Sequence, residues 1–203
     1  MSSTDGDIRV KFQPIRDDQC RVAAFELLHR HGDALAARVS DDALATDEVI
    51  HRVYAGAAPG RQALGHFKGF LNVDAEILLS SHIDALPPHE VVLELLETVA
   101  VDDRIICRCA DLKHRGFSLA LDDFQEYRED LEPLLDLADI VKVDIPLVED
   151  ELLDDLVGLL RHFPLQLLAE KVDSRRCAQR CQALNFDLYQ GYYFDAPSPA
   201  RPT

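Results

Sequence analysis

The sequence predicts an α/β fold, a closed (β/α)8 barrel, on three observations. Short apolar, β-branched runs alternate with longer segments of helical period. The alternation repeats about eight times in one domain, with no linker, low-complexity stretch or internal sequence repeat. The chain has 203 residues, the short end of what eight strand–helix units need. An open doubly wound sheet is the alternative arrangement of the same alternation. The barrel is expected over residues 8–197, with a disordered N-terminus over 1–7 and a Pro-containing surface tail over 198–203.

The expected strands, in order, are Val10–Ile15, Val22–Leu28, Phe67–Val73, Val91–Leu96, Ser118–Phe124, Ile140–Ile145, Gln166–Val172 and Leu188–Phe194. The segment His31–Thr46, with Gly, Ser, Asp and Ala, reads as the least ordered part. A stripe at Ile77 and Leu78 ends before Pro87–Pro88. Asp102 and Asp103 open a helix whose inner face is Ile105, Cys109 and Leu112, and Gly116 follows its end. Pro133 suits a first helical turn before Leu134 and Leu135. Leu152, Leu153, Leu156, Leu159 and Leu160 mark another helix, whose apolar face could also serve a dimer. Ser174 caps the last one, lined by Cys177, Cys181 and Leu184 and stopped at Asn185.

Composition narrows the function. With 21 Lys plus Arg against 37 Asp plus Glu, the net charge is −16. Such a chain lacks the basic footprint that a DNA or RNA polymer or an anionic membrane surface requires. No apolar run reaches the roughly 18–20 residues of a spanning helix. The polar, acidic start MSSTDGDIRV has no leader-like apolar core, and the five Cys form no CxxC pair. A reducing cytoplasm is the expected location. Cys177 and Cys181 read as small apolar residues on a buried face, with a metal between them as the alternative. His51, His66, His114 and His162 read as helix or loop residues.

Active sites of such barrels form at the C-terminal ends of the strands. There the apolar runs carry Glu26, Asn72, Asp74, Glu94, Glu97, Asp122, Asp123, Lys142, Asp144, Glu170, Lys171, Asp173 and Gln190. A carboxylate at a strand end often only caps the next helix. Several converging on one mouth cannot all stay ionised without a counter-charge. Hard divalent cations with oxygen ligands supply one. The pattern therefore points to a site for one or two divalent ions, suited to phosphoester hydrolysis, with Lys142 as a point charge.

The order of the motifs carries a resemblance. FQPI (Phe12–Ile15), FELLHR (Phe25–Arg30), FLNVD (Phe70–Asp74) and LELLE (Leu93–Glu97) come first. LALDDF (Leu119–Phe124), VKVD (Val141–Asp144), LLAEKVD (Leu167–Asp173) and YQGYYF (Tyr189–Phe194) follow. Together they resemble the bacterial EAL domain, the cyclic di-GMP phosphodiesterase module, over about residues 8–197. The wording is most similar to the EAL-like half of proteins that also carry an HDOD domain. The resemblance implies a barrel with one antiparallel strand, Mg²⁺ or Mn²⁺, and hydrolysis of cyclic di-GMP to pGpG. It implies Glu26, Asn72, Glu94 and Asp122 as metal ligands, with Asp123 joining Asp122 on a second ion. Lys142 would position the attacking water, Glu170 would be a site carboxylate, and Gln190 would support the water or ligand shell. Glu97 would brace the loop after the fifth strand. Gln13, Leu27, Arg30 and Asp144 would contact the dinucleotide; a guanidinium suits phosphate because it binds bidentately.

The sequence also departs from the family. DDFG with a further nearby glycine has become Asp122-Asp123-Phe124-Gln125-Glu126-Tyr127. Residues other than Gly rarely accept positive φ, so this loop cannot keep the family shape. AEGVE has become AEKVD, placing Lys171 at a glycine position and shortening a Glu to Asp173. The segment between Arg30 and Asn72 is shorter than usual. These changes keep a second reading open: a non-catalytic module that binds cyclic di-GMP or a protein partner as a regulator.

Overall fold

The structure is a computed structural model and describes residues 9–30, 42–54 and 59–195. Eight strands close into a barrel in chain order. They are β1 (Arg9–Asp17), β2 (Val22–Arg30), β3 (Lys68–Val73), β4 (Val91–Leu95), β5 (Ser118–Phe124), β6 (Ile140–Asp144), β7 (Gln166–Glu170) and β8 (Leu188–Tyr189). β1 runs antiparallel to both neighbours, β2 and β8, and every other pairing is parallel. The reversal follows from the tight turn Asp17–Arg21, where Asp17 accepts from the backbone of Gln19 and Arg21. A turn that short allows only an antiparallel hairpin.

The helices are α1 (Asp42–Tyr54), α2 (Pro59–Leu64), α3 (Ala75–Leu79), α4 (Asp103–His114), α5 (Glu132–Leu135), α6 (Asp150–Leu160), α7 (Arg175–Ala183) and α8 (Tyr192–Asp195). α4 and α7 carry the expected caps: Asp102 accepts from Ile105 N, and Ser174 from Cys177 N. Gly116 and Asn185 follow them with φ 95° and 56°, the left-handed turn that ends a helix. On α6, Leu153, Leu156, Val157 and Leu160 face the core, while Leu152 and Leu159 are exposed. None of the described helices is long and apolar enough to cross a membrane.

Three expectations are corrected. The segment read as least ordered contains the start of α1; its residues 31–41 lie outside the description. Thr46, Val49 and Val53 are buried, an i, i+3, i+7 stripe the sequence does show. The seventh strand stops at Glu170, because Lys171 has φ 57° and leaves the ladder. The eighth stops at Tyr189: Gly191, at φ 144°, turns the chain into α8. A side chain there is impossible, since a Cβ would lie 2.3 Å from Val172 N and O.

Two cores result. One fills the space between sheet and helices. The other is a plug inside the barrel, with one residue from each strand: Ile15, Ala24, Phe70, Val92, Ala120, Ile140, Leu168 and Leu188. Burying a side chain such as Ile15 or Phe70 stabilises by roughly 1.5–3 kcal/mol. The plug also sets the floor of the site.

Candidate active site

Strand side chains alternate between two faces, so the residue two beyond each plug residue also faces inward. Those residues are Glu26, Asn72, Glu94, Asp122, Lys142, Glu170 and Gln190. On antiparallel β1 the matching position is two residues earlier, Gln13, which stands in register with Glu26. An apolar floor thus carries a polar ring drawn from seven strands and, at Gln190, from the residue just after β8.

The centre of the ring is the Lys142 ammonium, 1% exposed. It donates to Glu94 and, at 2.8 Å, to Asp122 Oδ1. Glu170 Oε1 lies 2.8 Å away and Glu26 Oε1 3.9 Å away. Gln190 Nε2 donates to Glu26 Oε2 and fixes that carboxylate. One cation shared by four carboxylates does not balance them. Burial raises the Asp122 carboxyl to about 9, and the charges of Glu170, Asp123 and Glu26 push the same way. Burial also raises Glu170, against the pull of Lys142.

Asp123 faces the same mouth as Asp122, which strand alternation alone forbids. A bulge allows it. Leu121 pairs with Val141 and Phe124 with Val143, so β5 carries one residue more than β6 over this stretch. Asp123 takes φ 46° at the bulge. Its Oδ1 accepts from Lys171 Nζ at 2.8 Å, and Lys171 also donates to the fully buried Asp144. Burial opposes the charge on Lys171, but these hydrogen bonds hold its pKa above the ordinary value. Left-handed backbone at a residue other than Gly costs about 1–2 kcal/mol, so both residues hold strained positions at the site.

Several ring oxygens are buried without a hydrogen-bond partner: Asn72 Oδ1, Glu94 Oε2, Glu170 Oε2, Gln190 Oε1 and, beside Lys171, Asp144 Oδ1. Each orphaned acceptor costs about 1–3 kcal/mol. Such a concentration marks a place where a ligand completes the shell. Two carboxylate triads share Asp122: Glu94–Asp122–Glu170 and Glu97–Asp122–Asp123. Within each, one oxygen per residue lies within 4.8 Å of the others. Oxygen-only donors at this spacing fit a hard divalent cation.

The remaining expected residues fall in different places. Leu27 is a correction: alternation turns it away from the mouth, and it is buried in the core behind the sheet. Arg30 ends β2, but its side chain lies outside the described residues. Asp74 caps α3, accepting from Ile77 N at 2.8 Å. Asp173 is exposed just before the cap of α7. Glu97, expected to brace the loop after the fifth strand, stands with Asp122 and Asp123 in the outer triad. Exposed Gln125 and Glu126 join Glu97, Asp122 and Asp123 around a cavity of about 260 Å³. A larger cavity, about 940 Å³, opens below the plug beside Lys68 and Asp139, away from the carboxylate ring. Thr46 was missed: its hydroxyl donates to the Asn72 carbonyl at 2.9 Å and steadies that strand end. Its position on the α1 stripe is the signal that could have found it.

The EAL domain family model matches residues 2–197. This chain belongs to the EAL domain family. It is 30% identical over 189 residues to the uncharacterized protein YuxH of Bacillus subtilis, covering 91% of this chain and 46% of that one. It is 29% identical over 188 residues to the cyclic di-GMP phosphodiesterase CdgJ of Vibrio cholerae, covering 91% and 43%. The chain thus spans less than half the length of these relatives. Among solved structures, the EAL-domain protein YkuI of Bacillus subtilis, in complex with substrate c-di-GMP and calcium, superposes with TM-score 0.72. That match has 21% identity and covers 97% of this chain and 56% of that one. The EAL domain of Mycobacterium smegmatis DcpA gives the same score at 22% identity, covering 94% and 92%. These likenesses establish the EAL barrel.

Proposed function

We propose that this EAL domain hydrolyses cyclic di-GMP to pGpG with Mg²⁺ or Mn²⁺. The observation that carries this reading is the ring itself. Glu26, Glu94, Asp122 and Glu170 converge on Lys142, and Glu94 Oε2 and the ring's Asn72 Oδ1 are left without partners. Glu26, Asn72, Glu94 and Asp122 would hold the ion, and the Glu97–Asp122–Asp123 triad offers a second set. A divalent ion there supplies charge for the phosphodiester oxygens and lowers the pKa of a bound water.

The chain's own residues do the rest. Lys142, its three N–H groups facing Glu94, Asp122 and Glu170, would supply a fixed positive charge at the floor of the mouth beside the attacking water. Glu170 sits beside it with a raised pKa, placed to take a proton from that water at Oε2. The water would give its proton to Glu170 and attack phosphorus, the P–O3′ bond would break, and the 3′ oxygen would take a proton from solvent. Gln190 keeps Glu26 aimed inward. Gln13, in register with Glu26 on β1, would contact the dinucleotide.

The test is incubation of the chain with MnCl₂ and cyclic di-GMP, followed by chromatography. Appearance of pGpG, abolished by Glu26→Ala and by EDTA, supports the reading. Tight binding of the dinucleotide with no product replaces it with a receptor. No binding under any condition turns the search to a protein partner.

A further inference from the structure

The two carboxylate triads at the mouth differ in what they lack. In the inner one, Glu94 Oε2 and Glu170 Oε2 are buried and unpartnered even with Lys142 in place. Each triad has an ammonium of the chain's own beside it, but the outer one, Glu97–Asp122–Asp123, with Lys171 on Asp123, offers no buried unpartnered oxygen like those two. Lys171 Nζ is 2.8 Å from Asp123 Oδ1 and is anchored from behind by Asp144, which is 1% exposed. Lys171 holds this place from a backbone φ of 57°, a conformation that glycine takes freely. Its stem projects from the end of β7 across the mouth to the bulge of β5.

We propose that Lys171 is a tethered cation that neutralises Asp123 and so restricts the mouth to a single divalent ion, bound among Glu26, Asn72, Glu94 and Asp122. The inference rests on the metal-dependent reading of the site. A divalent ion in the outer triad would share Asp123 with an ammonium at hydrogen-bond distance. It would either suffer that repulsion or strip Lys171 from Asp123 and leave Asp144 as the ammonium's remaining carboxylate. Both routes weaken a second ion by at least about tenfold. Lys171 is thus a positioning residue that sets how many ions the site takes.

The experiment counts Mn²⁺ bound to the metal-stripped chain, by calorimetry and by electron paramagnetic resonance of free Mn²⁺. The native chain is expected to bind one ion. Lys171→Gly, which removes the charge and suits the backbone, is expected to bind two; its metal-free form should melt lower, because the buried Asp144 loses its ammonium. Lys171→Met keeps the stem and the strained backbone but not the charge, and should also bind two. Adding Asp123→Asn to Lys171→Gly should return the count to one. Two ions of comparable affinity on the native chain overturn the proposal and leave the phosphodiesterase reading standing. So does a count that stays at one in both Lys171 variants. No Mn²⁺ on the native chain overturns the proposal and the metal-dependent reading together.

Discussion

Lys142 shows how much one buried side chain decides. Three carboxylates lie within hydrogen-bond reach of its ammonium, itself shielded from water. Replacing it with Met leaves those charges unpaired, at a cost of about 3–5 kcal/mol to the metal-free chain. We expect Lys142→Met to melt well below the native chain in EDTA and to recover part of the difference in Mn²⁺, which supplies the missing charge. Turnover should fall at least about a hundredfold, because the fixed positive charge at the floor of the mouth is lost. Asp122 gives a pH dependence of definite sign. Its folded pKa, about 9, exceeds the ordinary 3.8, so the folded state keeps a proton that the unfolded state gives up. Its contribution is full below pH 3.8 and is lost as pH rises through about 9. Urea melts from pH 5 to 9 should show the native chain losing stability relative to Asp122→Asn, which mimics the protonated form. A difference that does not change with pH would mean that the carboxyl is ionised throughout.

At the scale of elements, the site depends on two departures from regular strand geometry. The bulge in β5 turns Asp123 inward, and Gly191 ends β8 so that the chain can pass over Val172. Gly191→Ala should therefore be among the most damaging single-methyl changes available. The added carbon overlaps backbone atoms that cannot move aside, and its φ is one that alanine avoids. A loss of about 4 kcal/mol or more is expected, seen as a collapse of soluble yield or of the melting temperature. A variant that melts like the native chain would show that β7 and β8 can separate. The strands themselves were legible: all eight apolar runs became strands, and Ser118–Phe124 matches to the residue. The failures came at ends. Strand ends at Lys171 and Gly191 are set by left-handed turns, and Lys is a residue whose local preference hides such a turn. α1 was obscured because its first turn follows a segment whose composition suggests a loop.

For the whole molecule, net charge and barrel geometry work against each other until a cation arrives. The chain carries −16, and its mouth gathers Glu26, Glu94, Glu97, Asp122, Asp123, Asp144 and Glu170 around two lysines. An anionic dinucleotide meets that field only at a cost. Removing divalent ions with EDTA should weaken cyclic di-GMP binding at least about tenfold by calorimetry, with Mn²⁺ restoring it. Binding that is unchanged by EDTA would mean that the lysines alone carry the ligand.

The sequence by itself determined the barrel, the plug and most of the polar ring. An apolar residue followed two positions later by a polar one, strand after strand, has one consistent solution: both face inward, one above the other. It also determined the caps of α4 and α7, because a side chain three residues from its partner acts locally. Tertiary structure alone decided the rest. It turned Leu27 into core while Glu26 faced the mouth, brought Asp123 beside Asp122 through the unequal lengths of β5 and β6, and gave Lys171 two partners far away in sequence, Asp123 and Asp144. Those outcomes depend on which strands are neighbours and where each one ends. Pairing across 20 to 50 residues fixes that, and no local pattern contains it.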